Sequence, residues 1–291
     1  MNSSFQNEKD LRFVLKLGAS TFGGDGADTV TIEKFRSSVD ISYAGGMVMS
    51  TASCKIYGLA KSAMQQLTML ALETLSVVRN TVIVTAIDGD VETEIFRGQI
   101  VNSWPDYSGA PDVYLHIEAQ AGFFEQTALS EPTSYKGSAD AGSILGRLAS
   151  GLGYTFENNG VDVKLSDPYF AGSAMEQVKE IVQAAGIEWI LDGQTLAIWP
   201  KGATRESYMP TISPETGLIG YPTFDQLGVG FRTLFNPSIR FGGKINVETS
   251  VTRAAGVRKV VGVSHSLSAQ MPGGPWYSDI RCTESGLVPV K

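Results

Sequence analysis

The feature that most constrains the fold is a series of short alternations of apolar and polar residues, separated by glycine turns. The clearest example is the segment 80–98, where two β-branched runs, Val82–Ile87 and Val91–Phe96, flank Asp88-Gly89. Alternation with a period of two is typical of a strand with one buried face, and Asp-Gly between two such runs signals a β-hairpin. Glycine makes up 32 of the 291 residues. The sequence therefore predicts a chain of short strands and tight turns.

The first segment, residues 1–128, is predicted to be mainly β. Besides the hairpin, strands are expected at Arg12–Leu17, Thr29–Phe35 and Val113–Ala119. One helix interrupts them, because four apolar residues recur on one helical face. These residues are Met64, Leu67, Ala71 and Leu75.

The middle segment, residues 129–209, is predicted to be a small α+β domain. It contains two units with the order helix, strand, turn, strand, in which Gly153 to Gly160 and Gly186 to Gly193 repeat one spacing. Ser173 and Glu176 form a capping-box pattern at the start of the second helix, and Gly186 supplies a C-terminal cap. The predicted helices and strands are Ile144–Leu152, Tyr154–Glu157, Val161–Leu165, Met175–Ala185, Ile187–Leu191 and Thr195–Trp199.

The third segment, residues 210–291, begins with turn residues and continues as strands. Proline and glycine punctuate it up to Pro222. Strands are expected at Phe231–Phe235, Ile245–Glu248, Val257–Leu267 and Trp276–Arg281. The fold class is therefore α+β and mostly β, with two β domains flanking a small α+β domain.

Composition excludes several functional classes. With 23 basic and 30 acidic residues, the net charge of −7 argues against a reader of duplex DNA that neutralises phosphates. Two cysteines provide neither a disulfide framework nor a cysteine-rich zinc site. The first ten residues lack the pattern of a secretory signal, and no apolar run is long enough to span a membrane. We expect cytoplasmic synthesis, no stable membrane insertion and two plain thiols.

No catalytic, cofactor-binding or metal-binding residues are predicted. Gly24-Asp25-Gly26 lacks the remainder of a dinucleotide or phosphate motif and is interpreted as a hairpin tip. His116 is predicted to face solvent from a strand, and His265 is predicted to be a structural histidine or an interface residue. A Cys–His hydrolase could be assembled from Cys54 or Cys282 with either histidine, but nothing predicts a lowered thiol pKa.

The charged and aromatic pairs have structural explanations. Glu92 and Glu94 lie on one face of a strand, and Asp88 and Asp90 flank a turn with too few ligands for calcium. The basic cluster of Arg253, Arg258 and Lys259 is predicted to be a solvated face. The tryptophan pair, Trp189 and Trp199, is predicted to be core rather than a platform for a sugar.

An ordered series of segments resembles the baseplate hub proteins of tailed bacteriophages. The strongest stretch is 212–224, followed by 231–237 and 242–245. Further similar segments are Lys55–Leu59, Met64–Leu67, Phe96–Ile100, Gly172-Ser173, Gly186–Trp189, Val263–Leu267 and Pro272–Trp276.

This resemblance implies a structural protein of the virion tail baseplate, assembled in the host cytoplasm. Such hubs form homotrimeric rings in which each subunit has two domains like those of the tail tube. Three chains with two β-barrel domains each, here 1–128 and 210–291, would match a six-fold tube to a three-fold spike. The implied partners are two further copies, tail-tube or distal-tube proteins, a spike or needle protein, and other baseplate proteins.

The resemblance carries over no catalytic residues and no cofactor. DNA would pass transiently through the ring without specific binding, and an acidic lumen would let it slide. Two alternatives stay open from the sequence: a tail-associated cell-wall hydrolase, and another distal tail component such as a tube-initiating protein.

Overall fold

Strands dominate the computed structural model of this chain, which describes residues 8–18, 27–46, 48–68, 80–127, 129–226 and 228–284. This confirms the predicted mostly-β class. The chain divides into two units, each with parts from distant regions of the sequence. The first comprises Met1–Ile41, Thr51–Phe124 and His265–Trp276, and the second Ser42–Ser50, Glu125–Ser264 and Tyr277–Lys291. The division into 1–128, 129–209 and 210–291 stays a prediction.

The first unit is built around an antiparallel sheet with the strand order β4-β7-β6-β5-β1-β2. Two short helices accompany it. Its elements, some of which continue into the second unit, are β1 (Lys9–Lys16), β2 (Thr29–Ile32), β3 (Ser37–Tyr43), β4 (Thr51–Tyr57), α1 (Lys61–Gln66), β5 (Thr81–Asp88), β6 (Val91–Asp106), β7 (Tyr114–Gln120) and α2 (Phe123–Thr127).

Alternate residues of these strands form the core of the first unit. Phe13 in β1 is paired with Val84 in β5, and both side chains are buried. On β7, Leu115, Ile117 and Ala119 are buried, as their alternation predicts. On α1, Met64 is buried, and Leu67 just beyond it is buried too, whereas the predicted positions 71 and 75 lie outside the described residues.

The hairpin of β5 and β6 confirms the strongest sequence prediction. Asp88 is paired with Val91, so Gly89 and Asp90 are the two loop residues. Gly89 has a φ of +62°, which is the glycine position of a type II′ turn. The turn is therefore Gly-Asp, one residue later than the Asp-Gly dipeptide suggested.

The second unit combines two helices with several small sheets and one larger strand group. Its elements begin with β8 (Thr133–Ser134), β9 (Ser138–Asp140), α3 (Ala141–Gly151), β10 (Thr155–Asn158), β11 (Lys164–Ser166), β12 (Tyr169–Phe170), α4 (Ala174–Ala185), β13 (Ile187–Asp192) and β14 (Thr195–Pro200). They continue with β15 (Thr211–Ile212), β16 (Leu218–Asp225), β17 (Gly228–Leu234), β18 (Lys244–Val247), β19 (Gly256–Ala269) and β20 (Trp276–Glu284); β19 and β20 are shared between the units.

Both helices of this unit begin with side-chain caps. The Asp140 carboxylate accepts a hydrogen bond from the Ser143 backbone N–H at 2.6 Å. At α4 the predicted capping box is present: the Ser173 hydroxyl accepts from the Glu176 backbone N–H, and the Glu176 carboxylate accepts from the Ser173 backbone N–H. Gly186 ends α4 in the left-handed conformation, as predicted.

The order helix, strand, turn, strand occurs twice, but only the second pair of strands forms a hairpin. β13 and β14 pair antiparallel. In the first of these two repeats, β10 pairs in parallel with β14, and β11 pairs with β9. Asn158 explains the difference, because its side chain bonds both the N–H and the C=O of Val161 and turns the chain away from β10.

Beyond residue 210 the structure confirms the four predicted strands and adds two, β15 and β16. β17 lies between β16 and β20, and all three are antiparallel. β16 was predicted as turns because of its Gly220 and Pro222. The register of β16 against β17 shifts between Ile219 and Thr223, and this irregularity accommodates both residues within the strand.

Candidate interaction surfaces

Cys54 and His116 do not form a nucleophilic pair. Cys54 in β4 is paired with Ile117, whereas His116 is paired with the neighbouring Lys55. Because successive side chains of a strand point to opposite faces, Cys54 and His116 lie on opposite sides of the sheet. His265 and Cys282 are both buried.

Both thiols have chemically inert surroundings. Burial raises the pKa of Cys54 and of Cys282 to about 12. A thiol with this pKa is almost wholly protonated at neutral pH and is therefore a poor nucleophile.

His116 faces away from the core, as predicted, but it is not open to solvent. Its ring stacks on Trp104 with a centroid distance of 4.3 Å, and its side chain is 14% exposed. Desolvation lowers its pKa. The prediction of a solvent-facing histidine was wrong because it took no account of the neighbouring tryptophan.

The carboxylates that the sequence singled out belong to ion pairs or to a turn. Glu92 accepts hydrogen bonds from both Nη atoms of Arg12 at 2.6 and 2.8 Å, and Glu94 is paired with Arg97. Among the described residues, no three His, Cys, Asp or Glu side chains are grouped as metal ligands. Gly24-Asp25-Gly26 lies outside those residues.

The predicted solvated basic face is wrong for two of its three members. Arg253 is exposed, but Arg258 and Lys259 are buried. Lys259 Nζ is 2.6 Å from Glu188 Oε2, and the Arg258 guanidinium donates to the carbonyl oxygens of Arg253 and Ala255. Buried cations of this kind are tolerated because each has acceptors.

The predicted tryptophan core is confirmed. Trp189 and Trp199 are 2% and 0% exposed. The Trp199 indole N–H donates to Glu188 at 2.8 Å, so one carboxylate joins β13, β14 and the buried Lys259. Neither ring is available as a platform for a sugar.

A buried ion-pair network in the middle segment was missed by sequence reasoning. Arg205 is 2% exposed and bonds Glu157 through two nitrogens and Asp192 through a third. The three residues are far apart in sequence and form no motif, so no sequence signal identifies them. Their role is to fix the segment after β14 against β10 and β13.

Among the described residues, nine exposed large apolar side chains lie in the second unit and two, Val91 and Tyr107, in the first, whereas the first unit carries most of the net negative charge. The exposed large apolar residues of the second unit are Val48, Leu129, Tyr169, Tyr208, Met209, Ile219, Tyr221, Phe224 and Val257.

Strand β16 contributes three of these residues within one short stretch. Ile219, Tyr221 and Phe224 are 41%, 76% and 54% exposed. Among the described strands β16 pairs only with β17, so its other side is a free edge. The strand contains no lysine, arginine or glutamate, and aromatic residues without such charges are typical of protein interfaces.

A groove of about 570 Å³ begins where β16 ends. Phe224 and Val229 provide apolar lining, and Arg253 and Arg258 provide basic lining. Two acidic residues also line it; Asp225 lies 3.6 Å from Arg281, and Glu284 lies 3.6 Å from Arg258. The end of β16 therefore combines exposed apolar side chains, a free strand edge and a groove with both apolar and charged lining.

The sequence profile of the baseplate hub gp41 family matches residues 14–255. The chain belongs to this baseplate hub family. It is thus a member of a family of structural components of phage tails, as the sequence resemblance implied. No curated protein sequence matches this hub chain.

Solved structures with a similar fold come from phage tails and a related secretion system. The tail protein from Neisseria meningitidis MC58 superimposes with a TM-score of 0.62 at 10% identity, covering 94% of the hub chain and 97% of that chain. The 43 kDa tail protein of prophage MuSo2 from Shewanella oneidensis gives 0.60 at 8% identity, with coverage of 94% and 97%.

A type VI secretion component of E. coli, described as similar to the T4 tail proteins gp27 and gp5, gives a TM-score of 0.57 at 9% identity. The match covers 88% of the hub chain and 76% of that chain. At these identities the similarity shows the fold alone. In the described residues, no helix is long and apolar enough to cross a membrane.

Proposed function

We propose that this chain is a structural subunit of a phage baseplate hub and that three copies form a ring at the end of the tail tube. The observation that carries the proposal is the family match over 14–255. The three exposed apolar side chains on the free edge strand β16 support it, because aromatic residues on an exposed strand edge are typical of a surface that contacts another protein.

The ring would adapt a six-fold tube to a three-fold spike. Each chain would supply two tube-like β domains, 1–128 and 210–291, so three chains would present six. The middle segment, 129–209, would face other baseplate proteins. The similarity of the fold to tail proteins supports this arrangement at the level of architecture.

DNA would pass through the ring without stable binding. The net charge of −7 supports this role, because acidic walls repel the DNA phosphates. Such walls do not release counterions from the DNA, which is what favours the binding of basic proteins. We propose no catalytic role, because both thiols are buried with raised pKa values and the flagged carboxylates have arginine partners or lie in a turn.

The test is cryo-electron microscopy of intact tails that contain this chain. Three copies in a closed ring next to the tube are expected. A different copy number, or a position away from the tube, would contradict the proposal.

A further inference from the structure

The tip of the β5–β6 hairpin is an acidic and apolar projection of the first unit. Val91 is 63% exposed, and Asp90 beside it is also exposed. Asp90 makes no hydrogen bond or ion pair with the described residues, unlike Glu92, which is held by Arg12. The tip is fixed, because β1 pairs along β5 as far as Asp88 and the Gly89 N–H donates to the Glu8 carbonyl at 3.0 Å.

The groove at the end of β16 is lined by two arginines and by two carboxylates, Asp225 and Glu284, which lie 3.6 Å from Arg281 and Arg258 respectively. Arg253 is exposed on its wall, and its guanidinium has no acceptor among the described residues. The other groove arginine, Arg258, is occupied by carbonyl oxygens and Glu284. Phe224, 54% exposed, adds an apolar surface. One free cation and one exposed ring therefore lie on the same groove.

We propose that the Asp88–Glu92 hairpin tip of one copy docks in this groove of a second copy. Val91 would cover Phe224, and the Asp90 carboxylate would accept hydrogen bonds from the Arg253 guanidinium. Charge complementarity supports this occupant, since the tip offers an unpaired carboxylate and the groove an unpaired guanidinium.

The contact deepens the proposed ring and rests on it. A ring with an odd number of subunits cannot use two-fold contacts alone, so each subunit must present two different surfaces. The tip belongs to the first unit and the groove to the second. The tip of each copy can therefore contact the groove of one neighbour, while its own groove binds the tip of the other neighbour.

Disulfide trapping tests the contact. Chains carrying Asp90→Cys are mixed with chains carrying Thr252→Cys, an exposed residue that lines the groove. The native thiols are buried with pKa values of about 12, so they do not compete. We expect a disulfide-linked dimer on oxidation, both for concentrated protein and for tails assembled with the two variants. The matched control is Lys61→Cys, an exposed residue of the first unit, mixed with Thr252→Cys.

Charge exchange provides the second readout. Asp90→Lys and Arg253→Glu should each weaken self-association about tenfold, and the double variant should restore it. If the purified chains associate without other tail proteins, sedimentation velocity measures the strength of that association. If they do not, the fraction of each variant that is incorporated into tails measures it.

Three results would overturn the contact. One is a three-copy ring without the crosslink and without the charge effect, which would leave the proposed function standing. Another is a disulfide that forms only between two chains carrying Asp90→Cys, and the third is a crosslink from Asp90→Cys only to a different tail protein. Tails in which the chain forms no ring would contradict the proposed function as well.

Discussion

Arg205 and Glu157 are joined by a two-point hydrogen bond, with Nε to Oε1 at 2.9 Å and Nη2 to Oε2 at 2.8 Å. The third guanidinium nitrogen donates to Asp192 at 2.7 Å. A cation that is 2% exposed requires this number of acceptors, because burying it unpaired would cost several kcal/mol. The network therefore holds the segment after β14 in place.

Removal of this guanidinium should be strongly destabilising. Arg205→Ala leaves two carboxylates without their partner, and we expect a loss of about 3 kcal/mol in the free energy of unfolding. Urea denaturation measures it. The control is Arg232→Ala, which breaks the exposed pair with Asp279 and should cost below about 1 kcal/mol. Equal losses for the two variants would show that Arg205 has no special role.

The same pair should make stability dependent on pH. The hydrogen bond from Arg205 lowers the pKa of Glu157, so the folded protein holds this proton less tightly than the unfolded chain. The resulting stabilisation is fully present above the unfolded pKa of about 4.3 and is lost as the pH falls through the lower folded pKa. Glu157→Gln should have a shallower decline in unfolding free energy below about pH 4.5. An unchanged slope would contradict this explanation.

Native thiols should resist alkylation. With pKa values of about 12, Cys54 and Cys282 are buried and protonated at pH 8. Intact-mass analysis after iodoacetamide treatment should show no addition to the folded protein and two additions in denaturant. Rapid labelling of the folded protein would contradict the assigned burial and reopen the possibility of a cysteine nucleophile.

The capping box of α4 should contribute measurably to stability. Ser173→Ala removes the acceptor for the Glu176 backbone N–H and should cost about 1 kcal/mol. Ser150→Ala, near the end of α3, is the matched control, because its hydroxyl bonds only a carbonyl of its own helix. Thermal unfolding of the two variants compares them, and a larger loss for Ser150→Ala would refute the assignment.

Local patterns predicted local structure well. The hairpin at Gly89, the Ser173 capping box and the buried alternation of β7 each depend on residues within a few positions of one another. The family resemblance also identified the class of protein. The hairpin, the capping box and the alternation could be predicted because each is determined by interactions between residues close in sequence.

Long-range partners could not be predicted in the same way. The parallel pairing of β10 with β14 and the Arg205 network join residues separated by up to 48 positions. β16 was not predicted because Gly220 and Pro222 are residues typical of turns. In the structure, a shift in strand register between Ile219 and Thr223 allows both residues to lie within the strand. The burial of Lys259 depends on Glu188, which lies 71 positions away, whereas Arg258 is held by backbone carbonyl oxygens of Arg253 and Ala255, which no side-chain pattern reveals.

The measurement that most directly tests the structural role is the copy number and symmetry of this chain in the intact tail. Cryo-electron microscopy should show a closed ring of three copies next to the tail tube, with the tip of β5–β6 from one copy against the β16 groove of the next. A single copy, a six-copy ring or a location away from the tube would contradict the account.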